Sequence, residues 1–211
     1  MKSISAIILA AGSGTRMNCK GNKVFLKVGE TTIIEKTINL FIESEIPEIV
    51  LVIKEDERNQ YDKYLDNNKI IITTGGNDRQ ESVTKGIEKS IGDVMIVHDG
   101  ARCFLSKKKL EETILHINQG NKNFALAVKT KDTIQVVENG TLKKVLNRDT
   151  LYSMQTPQVV SKNDYLYVVN NDNKKYTDEM GLLRSKDIEC KIIEGEYSNI
   201  KITTPEDLEK K

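Results

Sequence analysis

The sequence predicts an α/β fold with a mostly parallel central sheet and one inserted β-hairpin arm. Three observations carry this. Short apolar runs recur at residues 4–10, 49–53, 70–72 and 94–97, the pattern of strands buried on both faces. Segments with apolar residues at helical spacing separate them, and such alternation implies right-handed crossovers between parallel strands, with helices covering both sides. The rhythm runs to about residue 128 and is then interrupted once, where residues 133–137 and 142–146 flank Asn139-Gly140. That dipeptide between two β-prone runs is a hairpin signal.

Each element can be justified in order. After the first strand comes a Gly-rich turn, and then Ile34, Ile38, Phe41 and Ile42 mark one helix face. Tyr61, Tyr64 and Leu65 suggest a short helix. Val83, Ile87 and Ile91 sit at i, i+4 and i+8 of another helix. Leu105, Ser106 and Leu110 read as N′, N-cap and N4, the two leucines placed as a hydrophobic staple, with Ile114 and Ile117 continuing the buried face. Residues 161–170 read as helix, 190–193 as strand, and Pro205 opens a final short helix. There is no internal repeat and no low-complexity linker, so one domain over residues 1–211 is expected, with the arm at about 132–148.

Composition narrows the function. The chain has 211 residues, long enough for a full core without staples. Lys+Arg is 32 against Asp+Glu 31, which argues against a large nucleic-acid-binding surface. No apolar run approaches the roughly 18 residues of a membrane helix, and the N-terminus does not read as a secretory signal. Cys19, Cys103 and Cys190 are odd in number and widely spaced. Free thiols in a reducing cytoplasm are expected, with no disulfide framework or zinc site.

The candidate chemistry lies at the ends of the strands. Residues 10–17 read A-A-G-S-G-T-R-M. Gly12 and Gly14 directly follow a buried strand, where glycine lets backbone N–H groups turn toward an anion. Arg16 and Lys23 add two cations to the same loop. No Walker A string is present, and Met17 stands where a dinucleotide fingerprint needs a small residue. Residues 75–82 read G-G-N-D-R-Q-E-S; Asn77 or Asp78 can cap the next helix, while Gly76, Asn77 and Ser82 can offer amides and a hydroxyl to a nucleobase edge. Residues 98–102 read H-D-G-A-R directly after an apolar strand. Asp99 sits where a catalytic or metal-binding acid would sit, and Arg102 is suited to a bidentate phosphate contact or to a structural pair with Asp99. His98 reads as a satisfied histidine at the edge of the core.

Taken in order, these strings, with D-T-I at 132–134, Q-T-P-Q at 155–158, T-D-E at 177–179 and N-I-K-I-T-T-P-E-D-L at 199–208, resemble the 2-C-methyl-D-erythritol 4-phosphate cytidylyltransferases. The resemblance covers nearly the whole chain. It implies a Rossmann-like nucleotidyltransferase fold, homodimers joined through a β-arm, Mg²⁺ or another divalent cation, and a CTP-dependent step of non-mevalonate isoprenoid synthesis. It places Arg16 and Lys23 on the triphosphate. Ala10, Ala11, Gly76, Asn77 and Ser82 fall at cytidine-contacting positions. Asp99, Arg102, Thr133, Arg148, Thr156, Thr177 and Lys201 fall where the polyol phosphate binds or the site is completed, with Asp99 the candidate nearest the metal. Ribitol-5-phosphate cytidylyltransferases share several of these strings and are the alternative. The family often has Pro-Lys-Gln where this chain has Asn22-Lys23-Val24, and Pro where it has Cys103; Val24 is expected to alter the loop beside Lys23. A dinucleotide-dependent oxidoreductase fails on Met17 and on the missing acidic ribose partner. A silent regulatory domain would have lost Arg16 and Lys23.

Overall fold

The structure, a computed structural model, describes residues 3–12 and 21–209; the expectations for Gly14, Arg16, Met17 and Cys19 fall outside them. The first half alternates as expected: β1 (Ile4–Leu9), α1 (Ile33–Ile42), β4 (Glu48–Ile53), β5 (Ile70–Thr74), α2 (Arg79–Lys89), β6 (Val94–Asp99), α3 (Lys107–Asn118) and β7 (Phe124–Lys129). A two-stranded ribbon, β2 (Lys27–Val28) and β3 (Thr31–Thr32), precedes α1. The arm is β8 (Gln135–Glu138) and β9 (Thr141–Val145). Then follow β10 (Tyr152–Ser161), α4 (Lys162–Asn171), α5 (Glu179–Arg184), β11 (Lys191–Glu194) and α6 (Glu206–Glu209).

The main sheet has seven strands in the order β11-β7-β10-β6-β1-β4-β5. All its pairings are parallel except those of β10, which runs antiparallel to β6 and β7. Alternate side chains of each strand feed opposite cores, as the two-residue repeat of a strand requires. Ala6 and Ile8 pack with Ile38 of α1 and Leu110 of α3. Ile7 and Val50 pack with Val83 of α2 and Tyr165 of α4. Burying a side chain such as Ile7 or Ile8 contributes about 1.5–3 kcal/mol, which is why these runs set the strand register.

The local signals act where they stand in the chain. Asp78 caps α2 through Glu81 N–H at 2.8 Å, and Ser106 caps α3 through Lys109 N–H at 3.1 Å, with Leu105 and Leu110 both buried. Asn139 and Gly140 have φ of 49° and 76°, the left-handed values a tight two-residue hairpin turn requires.

Three features differ from the sequence reading. No strand is expected over 152–161, yet β10 forms there; Pro157 and the polar Gln155, Thr156 and Gln158 are unusual in a central strand, and all three polar residues are buried. Ile91 is not on a buried helix face but 81% exposed. α2 stops at Lys89 because the chain must turn at Gly92, where a Cβ would lie 2.4 Å from Ser5 Oγ. The segment around Tyr61 and Tyr64 is a 3₁₀ helix over Glu55–Tyr64. Among the described residues, Cys190 is a free thiol, Cys103 is buried, and no helix is long and apolar enough to cross a membrane.

Candidate active site

The ends of β1, β4 and β6 converge on one side of the sheet. Ala10 N–H donates to Val52 O, Gly75 N–H to Ile53 O and Gly100 N–H to Leu9 O, at 2.8–2.9 Å. A cleft of about 420 Å³ opens there. Carboxyl ends of parallel strands are where open α/β sheets bind ligands.

One wall is the loop from β5 to α2. A Cβ on Gly75 would approach Ala11 Cβ to 2.6 Å, so glycine lets this loop lie against the first one. Gly76 N–H donates to Ser82 Oγ at 3.0 Å, and Ser82 Oγ–H to Asp78 O at 2.8 Å. Asn77 donates its backbone N–H and its side-chain amide to Glu81 Oε2. Gly76, Asn77 and Ser82 all line the cleft, as do Ala10, Ala11 and Gly12.

The opposite wall carries Asn22, Lys23 and Val24. The sequence places Lys23 on a polar loop, where an exposed side chain is the ordinary case. Instead it is only 9% exposed, and its ammonium donates to Ile202 O at 2.7 Å. That bond ties the early loop to the segment after β11.

The floor is Asp99, at the end of β6. Lys201 Nζ lies 2.7 Å from its Oδ2, Arg79 Nε 3.3 Å from its Oδ1 and Arg102 Nε 3.8 Å from its Oδ2. Burial alone would raise this carboxyl, but the three cations outweigh burial and hold it below the ordinary carboxylate range. Arg79 is gripped from behind by Glu179, only 2% exposed, in a two-pronged contact of 2.6 and 3.1 Å. Such forked pairs fix orientation as well as charge. Thr156 Oγ1 accepts from Asp99 N–H at 3.0 Å and meets His98 Nδ1 at 3.1 Å. His98 is fully buried, and burial pushes its imidazole down to about 4; it is a neutral structural group.

The cleft therefore joins Ala10, Ala11, Gly12, Lys23, Gly76, Asn77, Ser82, Asp99 and Lys201. The other expected residues lie elsewhere. Arg102 turns inward, donating to Asn199 O at 2.9 Å and Met154 O at 3.3 Å. In this arrangement it buckles three segments together, and its fork does not face the cleft. Thr156 lies beneath the floor. Thr177 is exposed one residue before the α5 cap, Asp178. Thr133 and Arg148 sit at the exposed base of the arm, where Arg148 donates to Lys131 O at 3.0 Å. The sequence reading missed Arg79, Glu179 and Asn22. Arg79 stands inside a motif already singled out, so its place in the second loop was the available signal.

A family model described as IspD: 2-C-methyl-D-erythritol 4-phosphate cytidylyltransferase matches residues 4–210. The chain belongs to this family. It is accordingly a nucleotidyltransferase. A relative of the same description from Clostridioides difficile (strain 630) is 37% identical, with 97% of this chain and 90% of the relative covered. One from Clostridium botulinum (strain ATCC 19397 / Type A) is 40% identical over 99% and 95%. Among solved structures, 4-diphosphocytidyl-2C-methyl-D-erythritol synthase from Anaerococcus prevotii DSM 20548 superimposes with a TM-score of 0.85 at 33% identity, covering 98% of this chain and 93% of that one. The Francisella tularensis 2-C-methyl-D-erythritol 4-phosphate cytidylyltransferase gives 0.82 at 28% identity, over 99% and 97%.

Proposed function

We propose that this chain transfers the cytidylyl group of CTP to 2-C-methyl-D-erythritol 4-phosphate, forming 4-(cytidine 5′-diphospho)-2-C-methyl-D-erythritol and pyrophosphate, in isoprenoid biosynthesis. The single observation that carries the mechanism is Asp99, clasped by Lys201, Arg79 and Arg102 on the floor of a cleft that also holds Lys23. A phosphate oxygen of the polyol attacks the α-phosphorus, and the bond to the bridging β-phosphate oxygen breaks. A phosphate monoester is already ionised near neutral pH, so no general base is needed. The chain's task is positioning two polyanions and stabilising the crowded α-phosphate. Lys23 supplies charge there, and the loop with Gly76, Asn77 and Ser82 receives the base. Lys201 reaches the polyol phosphate from the far end of the chain.

The residues present fit Mg²⁺ only as a partner of bound phosphates. Among the described residues, no group of three His, Cys, Asp or Glu side chains gathers to hold a metal ion. Among the described residues lining the cleft, Asp78 is taken up in capping α2 and pairing with Lys175, while Asp99 offers a carboxylate on the floor and keeps lone pairs beyond its contacts to Arg79 and Lys201. One carboxylate with phosphate oxygens and water is how Mg²⁺ is commonly held in such sites. When bound it would neutralise phosphate charge, with Asp99 as its protein ligand.

We also propose a homodimer through the arm. Support comes from the exposed Val136, Val137, Leu142 and Val145 on a two-stranded ribbon, a form that is marginal alone in water. A cytoplasmic location agrees with the free thiol of Cys190.

The test is pyrophosphate release with Mg²⁺ and CTP, offering 2-C-methyl-D-erythritol 4-phosphate and ribitol 5-phosphate in turn. The first substrate should dominate, and ATP should not replace CTP. Comparable efficiency with ribitol 5-phosphate overturns the choice of polyol; equal turnover of ATP overturns the base pocket.

A further inference from the structure

Asn22 stands between the end of β1 and the turn that carries Lys23, and it is only 5% exposed. Its side-chain amide is fully used. Nδ2 donates to Ala10 O and to Glu57 Oε2, both at 2.8 Å, and Oδ1 accepts from Val24 N–H at 3.3 Å. Its own carbonyl accepts from Phe25 N–H at 3.1 Å. Glu57 belongs to the 3₁₀ helix after β4 and is steadied by Lys54 at 3.5 Å. Three segments therefore meet on one amide: the strand end beside the base wall, the turn presenting Lys23, and a helix outside the cleft. A buried amide that loses such partners leaves unpaired polar groups behind, so the geometry is strongly specified.

We propose that Asn22, seated on Glu57, is a positioning residue for the nucleotide side of the cleft. It pins the Lys23 turn against Ala10 and so sets the shape in which the cleft meets CTP. Polyol binding depends on the floor, at Asp99 and Lys201, which meets the Lys23 turn only at its edge, through Lys23 Nζ and Ile202 O, and so should respond much less to Asn22 than CTP binding does. The proposal rests on the cytidylyltransferase reading for the identity of the nucleotide; the anchoring itself does not.

The backbone supplies a discriminating variant. Asn22 has φ of −80°, within the range a proline ring imposes. Proline there would hold the turn by its ring in place of the side-chain bonds. The experiment measures steady-state kinetics and amide hydrogen exchange in the full-length protein. The exchange readout is the Phe25 and Leu26 amides, whose acceptors are backbone carbonyls of Asn22 and Lys23 that every variant keeps. Asn22→Ala should raise the KM for CTP about tenfold, leave the KM for the polyol phosphate within about twofold, and speed exchange at the turn. Asn22→Pro should restore both. A mere loss of folded enzyme would lower kcat and leave both KM values alone. Glu57→Ala should give part of the effect, and the double variant should be no worse than Asn22→Ala, the sign of a shared interaction.

An unchanged KM for CTP, an equal rise in both KM values, unchanged exchange, or strict additivity of the two substitutions would each overturn the proposal. If Asn22→Ala does not fold, Glu57→Ala carries the same readouts. Wild-type protein that releases no pyrophosphate from CTP sinks the functional reading instead, and the exchange measurements still decide whether Asn22 holds the turn.

Discussion

At the floor of the cleft, charges are buried and answered from far along the chain; on the arm, the strands are exposed and bonded to their near neighbours. Asp99 meets Arg79 and Lys201, and Arg79 meets Glu179, 100 positions further along the chain. On the arm, Gln135 pairs with Val145 and Glu138 with Thr141, and every residue of both strands is exposed. The floor can form only when β6, α2, α5 and the segment at Lys201 have docked, so it reports on the whole fold. The arm can form alone but buries almost nothing, so its apolar residues want another surface. Charge in the first region is structural and chemical at once. In the second, structure is local and the purpose lies outside the subunit.

The largest way to break this contrast is Glu179→Ala. It leaves the part-buried Arg79 guanidinium with Asp99 as its remaining carboxylate; losing one member of a fully buried pair costs about 3–5 kcal/mol, and this pair should lie at the low end of that range. Urea unfolding should show that loss; a change under about 1 kcal/mol would mean the floor is not a lock on the fold. Lys23→Ala comes next. Removing one preorganised donor to a transition state typically lowers kcat about a hundredfold. Because Lys23 also bonds Ile202 O, stability should fall too, by only about 1 kcal/mol. Near wild-type turnover would remove Lys23 from the mechanism.

Deleting residues 136–144 and rejoining the chain tests the other region. The main sheet should lose less than about 1 kcal/mol, since these residues bury little. Light scattering should change from dimer to monomer, with impaired catalysis. An intact protein that is already monomeric at micromolar concentration disposes of the arm's assembly role.

The smallest effect sharpens the comparison with an intermediate case. Glu35 is part-buried and closes the capping box of α1 with Thr32, while Lys63 pairs with it. The Lys63 hydrogen bond, with those from Thr32, holds its carboxyl down to about 2 against an ordinary 4.5. A carboxyl lowered in the folded state contributes stability above its unfolded value and loses it as pH falls. Glu35→Gln should therefore be about 0.5–1 kcal/mol less stable at pH 7, with the gap closing as pH falls from about 4.5 toward 2. A gap that stays constant across that window would mean the charge contributes nothing.

The sequence by itself determined what near neighbours decide. The apolar runs at β1, β4 and β6 declare buried strands, Asn139-Gly140 declares the hairpin, and Asn77-Asp78 and Ser106 declare helix starts, the first of which the fold settles on Asp78. Each rests on backbone preference or on a period of a few residues. The loops at the strand ends were legible for the same reason, and the family's strings tied them together. Only the tertiary structure decided the rest. It placed β10 antiparallel in the middle of the sheet despite Pro157, because Gln155 and Gln158 find buried partners there: Gln155 donates to Glu196 O, and Gln158 donates to Asp178 and accepts from Glu179 N–H. It turned Arg102 inward to Met154 and Asn199 carbonyls, and gave Arg79 to both Asp99 and Glu179. A long charged side chain has no periodicity that reveals its partner. Its partner is settled by which opposite charges or carbonyls lose water beside it, and that is a property of the packed chain.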